Sequence, residues 1–234
     1  MARRPADGKR TLWRVAVWLG AAWLALALAP AASAEPPVPL LWKVSDADSS
    51  LYLLGSFHLL SADDYPLSTD VETAFADAES LLFELAPAEM ESPALAGRMT
   101  AAAARTRAGS LEQDLGPELW AELERYAAGN GLPLAQLARF DPWFVGLTVG
   151  LREMGKQGLD PALGLDRHFM QAAARAGKPA DGLERADEQI AVLSGMDLDE
   201  QRQMLAEALQ QAHEGQAQSR ALHRTWRAGD AGRL

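Results

Sequence analysis

The chain has 234 residues, 22 basic and 32 acidic side chains for a net charge of −10, and no cysteine. That length suits one domain with a sizeable core, and the acidic balance disfavours nucleic acid and anionic lipid as partners. Without thiols, disulfides and thiolate zinc sites are excluded, so stability must come from packing.

Residues 1–34 read as a secretory signal peptide. Arg3, Arg4, Lys9, Arg10 and Arg14 precede the apolar run from Val15 to Ala29, and Ala32-Ser33-Ala34 fits a small-x-small cleavage site. The run is shorter than the roughly 20 residues of a spanning helix, so no stable membrane span is expected after cleavage. With five basic residues and one acid (Asp7) removed, a net of +4, the charge moves from −10 to −14. The expected location is periplasmic or secreted, and residues 35–234 are the folded domain.

Leu40–Val44 and Leu51–Leu54 bracket an Asp/Ser cluster at residues 46–50, which predicts a β-hairpin. The second strand runs directly into Gly55-Ser56-Phe57-His58, where glycine permits a sharp turn that presents His58. Ser68 is a candidate N-cap for a helix with Val71, Phe75 and Ala78 on one face. The apolar run Leu81-Leu82-Phe83-Glu84-Leu85 predicts a second buried strand, so the β–α–β order argues for a largely parallel core. From Ala94 to Met154 the pattern is helical, with breaks at Gly109, Gly129-Asn130-Gly131 and Asp141-Pro142, and a helix is expected to start at Gly116-Pro117.

Gly164-Leu165-Asp166 opens a helix that Gly177 ends. Lys178–Glu184 is a third candidate strand, weakened by Pro179 and Gly182. A short helix begins near Asp187, and a long amphipathic helix spans about Asp197 to Arg227, with Leu198, Leu205, Leu209 and Ala212 on its buried side. The predicted fold is α/β: a mixed, mainly parallel sheet flanked by helices, with a helical insertion at roughly residues 90–160.

His58, Glu84 and Glu184 each stand where a predicted strand ends, the crevice where open α/β sheets build their sites. One imidazole and two carboxylates suit a divalent metal, or a general base beside a metal-bound water, and so point to hydrolysis. A lone histidine is more often structural than a ligand. Glu84, ending an apolar run, must reach solvent, pair or bind a cation. Glu184 has Arg185 beside it as a local partner. Asp166 reads as a helix cap, His168 as a further candidate for the crevice, and His213 and His223 as solvated. There is no Gly-x-Ser-x-Gly elbow, nucleotide-binding glycine loop or His-Glu-x-x-His motif.

Gly55-Ser56-Phe57-His58, the Leu-Phe-Glu84 strand, Gly164-Leu165-Asp166, Gly177-Lys178-Pro179 and Gly182-Leu183-Glu184 occur in an order that resembles the TraB/GumN family. That family is similar to the TIKI metalloproteases and the ChaN-like proteins. The resemblance covers residue 40 to the end. It implies an exported metal-dependent hydrolase, most simply a peptidase acting on a peptide or protein. His58 would be a metal ligand, Glu84 a ligand or general base, and Glu184 a ligand or electrostatic support. Mn, Co and Zn suit this ligand set about equally. The alternative is a non-catalytic protein that binds a peptide or polymer in the same cleft. Family members continue to a second Gly-x-x-His that has no counterpart before Leu234, so the resemblance also implies a C-terminally incomplete domain. Such a domain would bind metal weakly and tend to associate through an uncovered apolar stripe on its last helix.

Overall fold

Leu41–Ser45 (β1) and Ser50–Leu54 (β2) pair antiparallel, with Trp42 opposite Leu53 and Lys43 opposite Tyr52. The structure, a computed structural model, describes residues 35–215 and 217–233; the expected signal peptide at 1–34 lies outside them. The hairpin turn is held by Asp46, whose Oδ1 accepts the backbone N–H of Ser49 at 2.8 Å and its hydroxyl at 2.9 Å. Because strand side chains alternate, one face of the hairpin carries Lys43 and Tyr52 and the other Trp42, Val44, Leu51 and Leu53. The first face is pinned to the next helix, since Tyr52 donates to Asp77 at 2.6 Å. The second face remains about half exposed.

Helix α1 (Thr69–Asp77) begins after Ser68, as its pattern predicts, although the Ser68 hydroxyl makes no capping bond. It leads into β3 (Leu81–Leu85), which pairs in parallel with β4 (Ala180–Glu184). The strands are thus α/β in arrangement but divided into two two-stranded sheets, one antiparallel and one parallel. β4 forms despite Gly182 because that glycine is required: a Cβ there would overlap the backbone of Leu85 and Ala86 on the neighbouring strand.

Between β3 and β4 the chain is helical: α2 (Pro87–Met90), α3 (Ala94–Ala103), α4 (Leu111–Gly129), α5 (Leu134–Leu137), α6 (Pro142–Gly155) and α7 (Leu165–Ala176). α4 is two helical segments in tandem. Ser110 and Gln113 cap a first short one, Gly116 leaves helical geometry at φ 74°, and the expected helix start at Gly116-Pro117 opens the second. Beyond β4 come α8 (Ala186–Gly195), α9 (Leu198–Glu214) and α10 (Ala217–Ala228). The single long final helix expected from the sequence is therefore two helices. Gly215, at φ 79°, turns the chain between them.

The apolar residues collect into two cores. One joins α4, α5, α6 and α9 through Leu115, Leu123, Leu137, Val145, Val149, Leu205 and Leu209. Gly146 lets α6 and α9 approach closely, since a Cβ there would lie 3.1 Å from the Leu205 Cα. The other lies under the strands and contains Leu60, Val71, Phe83, Leu165, Phe169 and Trp226. On the terminal segment Leu205 and Leu209 are covered by the helical core and Trp226 by the sheet-side core, whereas Leu222 stays 41% exposed. Among the described residues no helix is long and apolar enough to cross a membrane.

Candidate functional site

The loop Gly55–His58 leaves β2 and is clamped against the start of α7. Phe57 accepts the Leu165 N–H at 3.0 Å, and a Cβ on Gly164 would overlap the His58 carbonyl. Gly-Leu-Asp is therefore a docking unit. Glycine admits the loop, the Leu165 backbone holds it, and Asp166 receives its side chains. His58 Nδ1 lies 2.9 Å from Asp166 Oδ2, which also accepts the Ser56 hydroxyl at 2.5 Å. On the other side of the ring, His58 Nε2 stands 3.8 Å from Glu84 Oε2.

Asp166 is not a simple cap. Gly164 occupies the N-cap position, and the Asp166 side chain is only 14% exposed while those of His58 and Glu84 are 58% and 62% exposed. Burial pushes the Asp166 carboxyl up, but the bonds from His58 and Ser56 outweigh it and hold the group below the usual carboxylate range. His58 is raised, chiefly by its bond to Asp166, against an opposing contribution from burial.

His58 and Glu84 are brought together; Glu184 is placed differently. In the β3–β4 register Glu184 stands opposite Leu85, so strand alternation directs it away from the face carrying Glu84. Its carboxylate accepts Gln189 Nε2 at 3.0 Å, and Arg185 is not its partner in this contact. His168 leaves the crevice to stack on Tyr65 with ring centroids 4.6 Å apart, and burial lowers its pKa. His223, expected in solvent, is largely buried and bonds Asp64 at 3.0 Å, because α10 folds back onto the sheet-side core. The Asp166–His58 contact spans 108 residues of sequence and had no local signal beyond the Gly-Leu-Asp block itself.

A single ion with bonds of about 2.0–2.2 Å can bridge a 3.8 Å nitrogen–oxygen separation, so His58 Nε2 and Glu84 fit as a ligand pair. Among the described residues, no three His, Asp or Glu side chains are grouped to hold a metal by themselves.

The α/β scaffold and the loop–helix clamp define a strand-end site built from a histidine, its supporting carboxylate and a facing glutamate. The chain belongs to the TraB/PrgY/gumN family, whose model matches residues 40–234. It is similar to the uncharacterised protein YbaP of Escherichia coli (strain K12) and to YbaP of Shigella flexneri. Each is 26% identical over 142 residues, covering 61% of this chain and 51% of the relative. The chain thus spans about half the length of these curated relatives. No solved structure matches it.

Proposed function

We propose that this chain carries the His58/Glu84 centre of an exported, metal-dependent hydrolase whose substrate is a peptide bond. The observation that carries this reading is the pair of accessible groups, His58 Nε2 and Glu84 Oε2, 3.8 Å apart, with the opposite ring nitrogen held by a buried carboxylate. A divalent ion bound there (Mn, Co or Zn) would polarise a scissile carbonyl and make a water more acidic. His58 would hold the ion through Nε2, and Glu84 would share the ligation or act as the base for water. Glu184, on β4 with its carboxylate bonded by Gln189 of α8, faces away from this pair and is left out of the ligand set. Export rests on the signal-like residues 1–34, and intact-mass measurement of the exported protein should show Glu35 as its first residue.

The test is titration of the protein with Mn²⁺, Co²⁺ and Zn²⁺, followed by a peptide-library cleavage assay with and without chelator. Chelator-sensitive cleavage that disappears in His58→Ala and Glu84→Gln, with unchanged far-UV circular dichroism, is expected. Peptide binding without cleavage would favour the second reading, a non-catalytic binding protein. The half-exposed Trp42, Val44, Leu51 and Leu53 on one hairpin face support that alternative.

A further inference from the structure

We propose that Asp166 is the positioning residue of this site, fixing His58 in the Nδ1–H form so that the Nε2 lone pair faces Glu84, with Ser56 as the second donor that locks the carboxylate in place. The inference rests on the reading of His58 Nε2 as the working atom.

Three observations carry it. Asp166 Oδ2 is shared by Ser56 Oγ and His58 Nδ1 at 2.5 and 2.9 Å. An ionised carboxylate only accepts, so both neighbours must donate, and a neutral imidazole has one N–H to give. That proton therefore sits on Nδ1, leaving Nε2 as an acceptor directed at the open side. The geometry is also imposed from both flanks: the Leu165 N–H holds the Phe57 carbonyl, and Gly164 lies against the His58 backbone. The imidazole and the carboxylate thus ride on one clamped unit, and their contact is not a chance meeting of surface side chains. Finally, the exposure is asymmetric. The Asp166 side chain is 14% exposed and the His58 side chain 58%, so one end of the ring is anchored and the other is available.

This is the carboxylate–histidine arrangement that orients a metal-binding imidazole and raises its basicity. An acidic residue in the first turn of α7 also favours the positive end of the helix dipole. That role alone would leave the His58 tautomer indifferent to the residue at 166.

The deciding measurement is long-range ¹H–¹⁵N correlation on histidine-labelled, metal-free full chain, at mildly alkaline pH where the imidazole is neutral. Wild-type His58 is expected with its proton on Nδ1. Asp166→Asn should move it toward the Nε2–H form, Asp166→Glu should restore part of the wild-type signal, and Ser56→Ala should give an intermediate state. Circular dichroism should stay constant throughout. In parallel, Zn²⁺ affinity should fall by about 10–100-fold in Asp166→Asn. A wild-type His58 protonated on Nε2, or a tautomer unmoved by Asp166→Asn, would overturn the proposal. If Asp166→Asn does not fold, the wild-type spectrum and Ser56→Ala decide. If the tautomer responds as expected but no metal binds, the positioning role stands and the hydrolase reading fails.

Discussion

Trp226, near the end of the last helix, donates its indole N–H to the carbonyl of Gly55 at 2.9 Å, three residues before His58. The ring is 2% exposed, and Phe57 packs against it with centroids 5.6 Å apart. The loop that presents His58 is thus held by α7 on one side and by α10 on the other.

Trp226→Ala should therefore act on both stability and the site. Removing a buried indole costs roughly 3–5 kcal/mol and leaves the Gly55 carbonyl short of a donor. Chemical denaturation should show that loss. Trp226→Phe, which keeps most of the packing but not the N–H, should lose less stability yet still broaden the His58 NMR signals.

Gly164→Ala should displace the His58 loop. A methyl at this position would overlap the His58 carbonyl, so loop and helix must separate or the chain must fail to fold. Metal affinity and thermal midpoint should both drop, whereas Gly97→Ala, inside α3 with nothing within 4 Å of the added carbon, should leave metal affinity unchanged and raise stability by roughly 0.5–1 kcal/mol.

Asp64 and His168 should produce two separable acid transitions. Asp64 is fully buried and accepts the Ser61 N–H at 2.7 Å, with His223 and Arg227 as further partners. Burial raises its carboxyl, but the bonds from His223 and Ser61 outweigh it and leave the group strongly depressed. A depressed carboxylate contributes stability that is present above its unfolded value of about 3.9 and is lost as pH falls through the folded value. His168 is depressed by burial, so the unfolded chain takes up its proton first and stability declines as pH drops below about 6.5. Urea midpoints measured from pH 8 to pH 2 should show the His168 step in the upper part of the range and the onset of the Asp64 step below about pH 3.9. His168→Phe should remove the upper one. Asp64→Ala should remove the lower one and cost roughly 3–5 kcal/mol at neutral pH, because it strips partners from a buried charge cluster.

Lys178→Met should loosen the end of α1. The ammonium donates to the carbonyls of Phe75 at 2.6 Å and Ala76 at 3.0 Å, and also to that of Ala78, closing a helix C-terminus that lacks its own basic residue. A loss of roughly 1.5–3 kcal/mol is expected, with faster amide exchange at the end of α1. Lys178→Arg should recover part of it.

What the sequence by itself determined was local. Alternation and an Asp/Ser turn define the hairpin, an apolar run defines β3, Gly177 in the left-handed conformation ends α7, and small-residue breaks divide the helical segment. Glu84 and His58 were also legible, because a glutamate ending an apolar strand and a histidine after a glycine turn are anomalies of position. Only the tertiary structure decided which groups meet. Asp166 reads as a cap until α7 docks on the His58 loop, and His223 reads as solvated until α10 folds over Asp64. Glu184 shares its strand-end position with Glu84, yet the β3–β4 register turns the two toward opposite faces. Periodicity specifies which face of an element is apolar. Which polar groups come into contact depends on strand register and helix docking, where pairings more than 100 residues apart are selected by packing and hydrogen-bond satisfaction together.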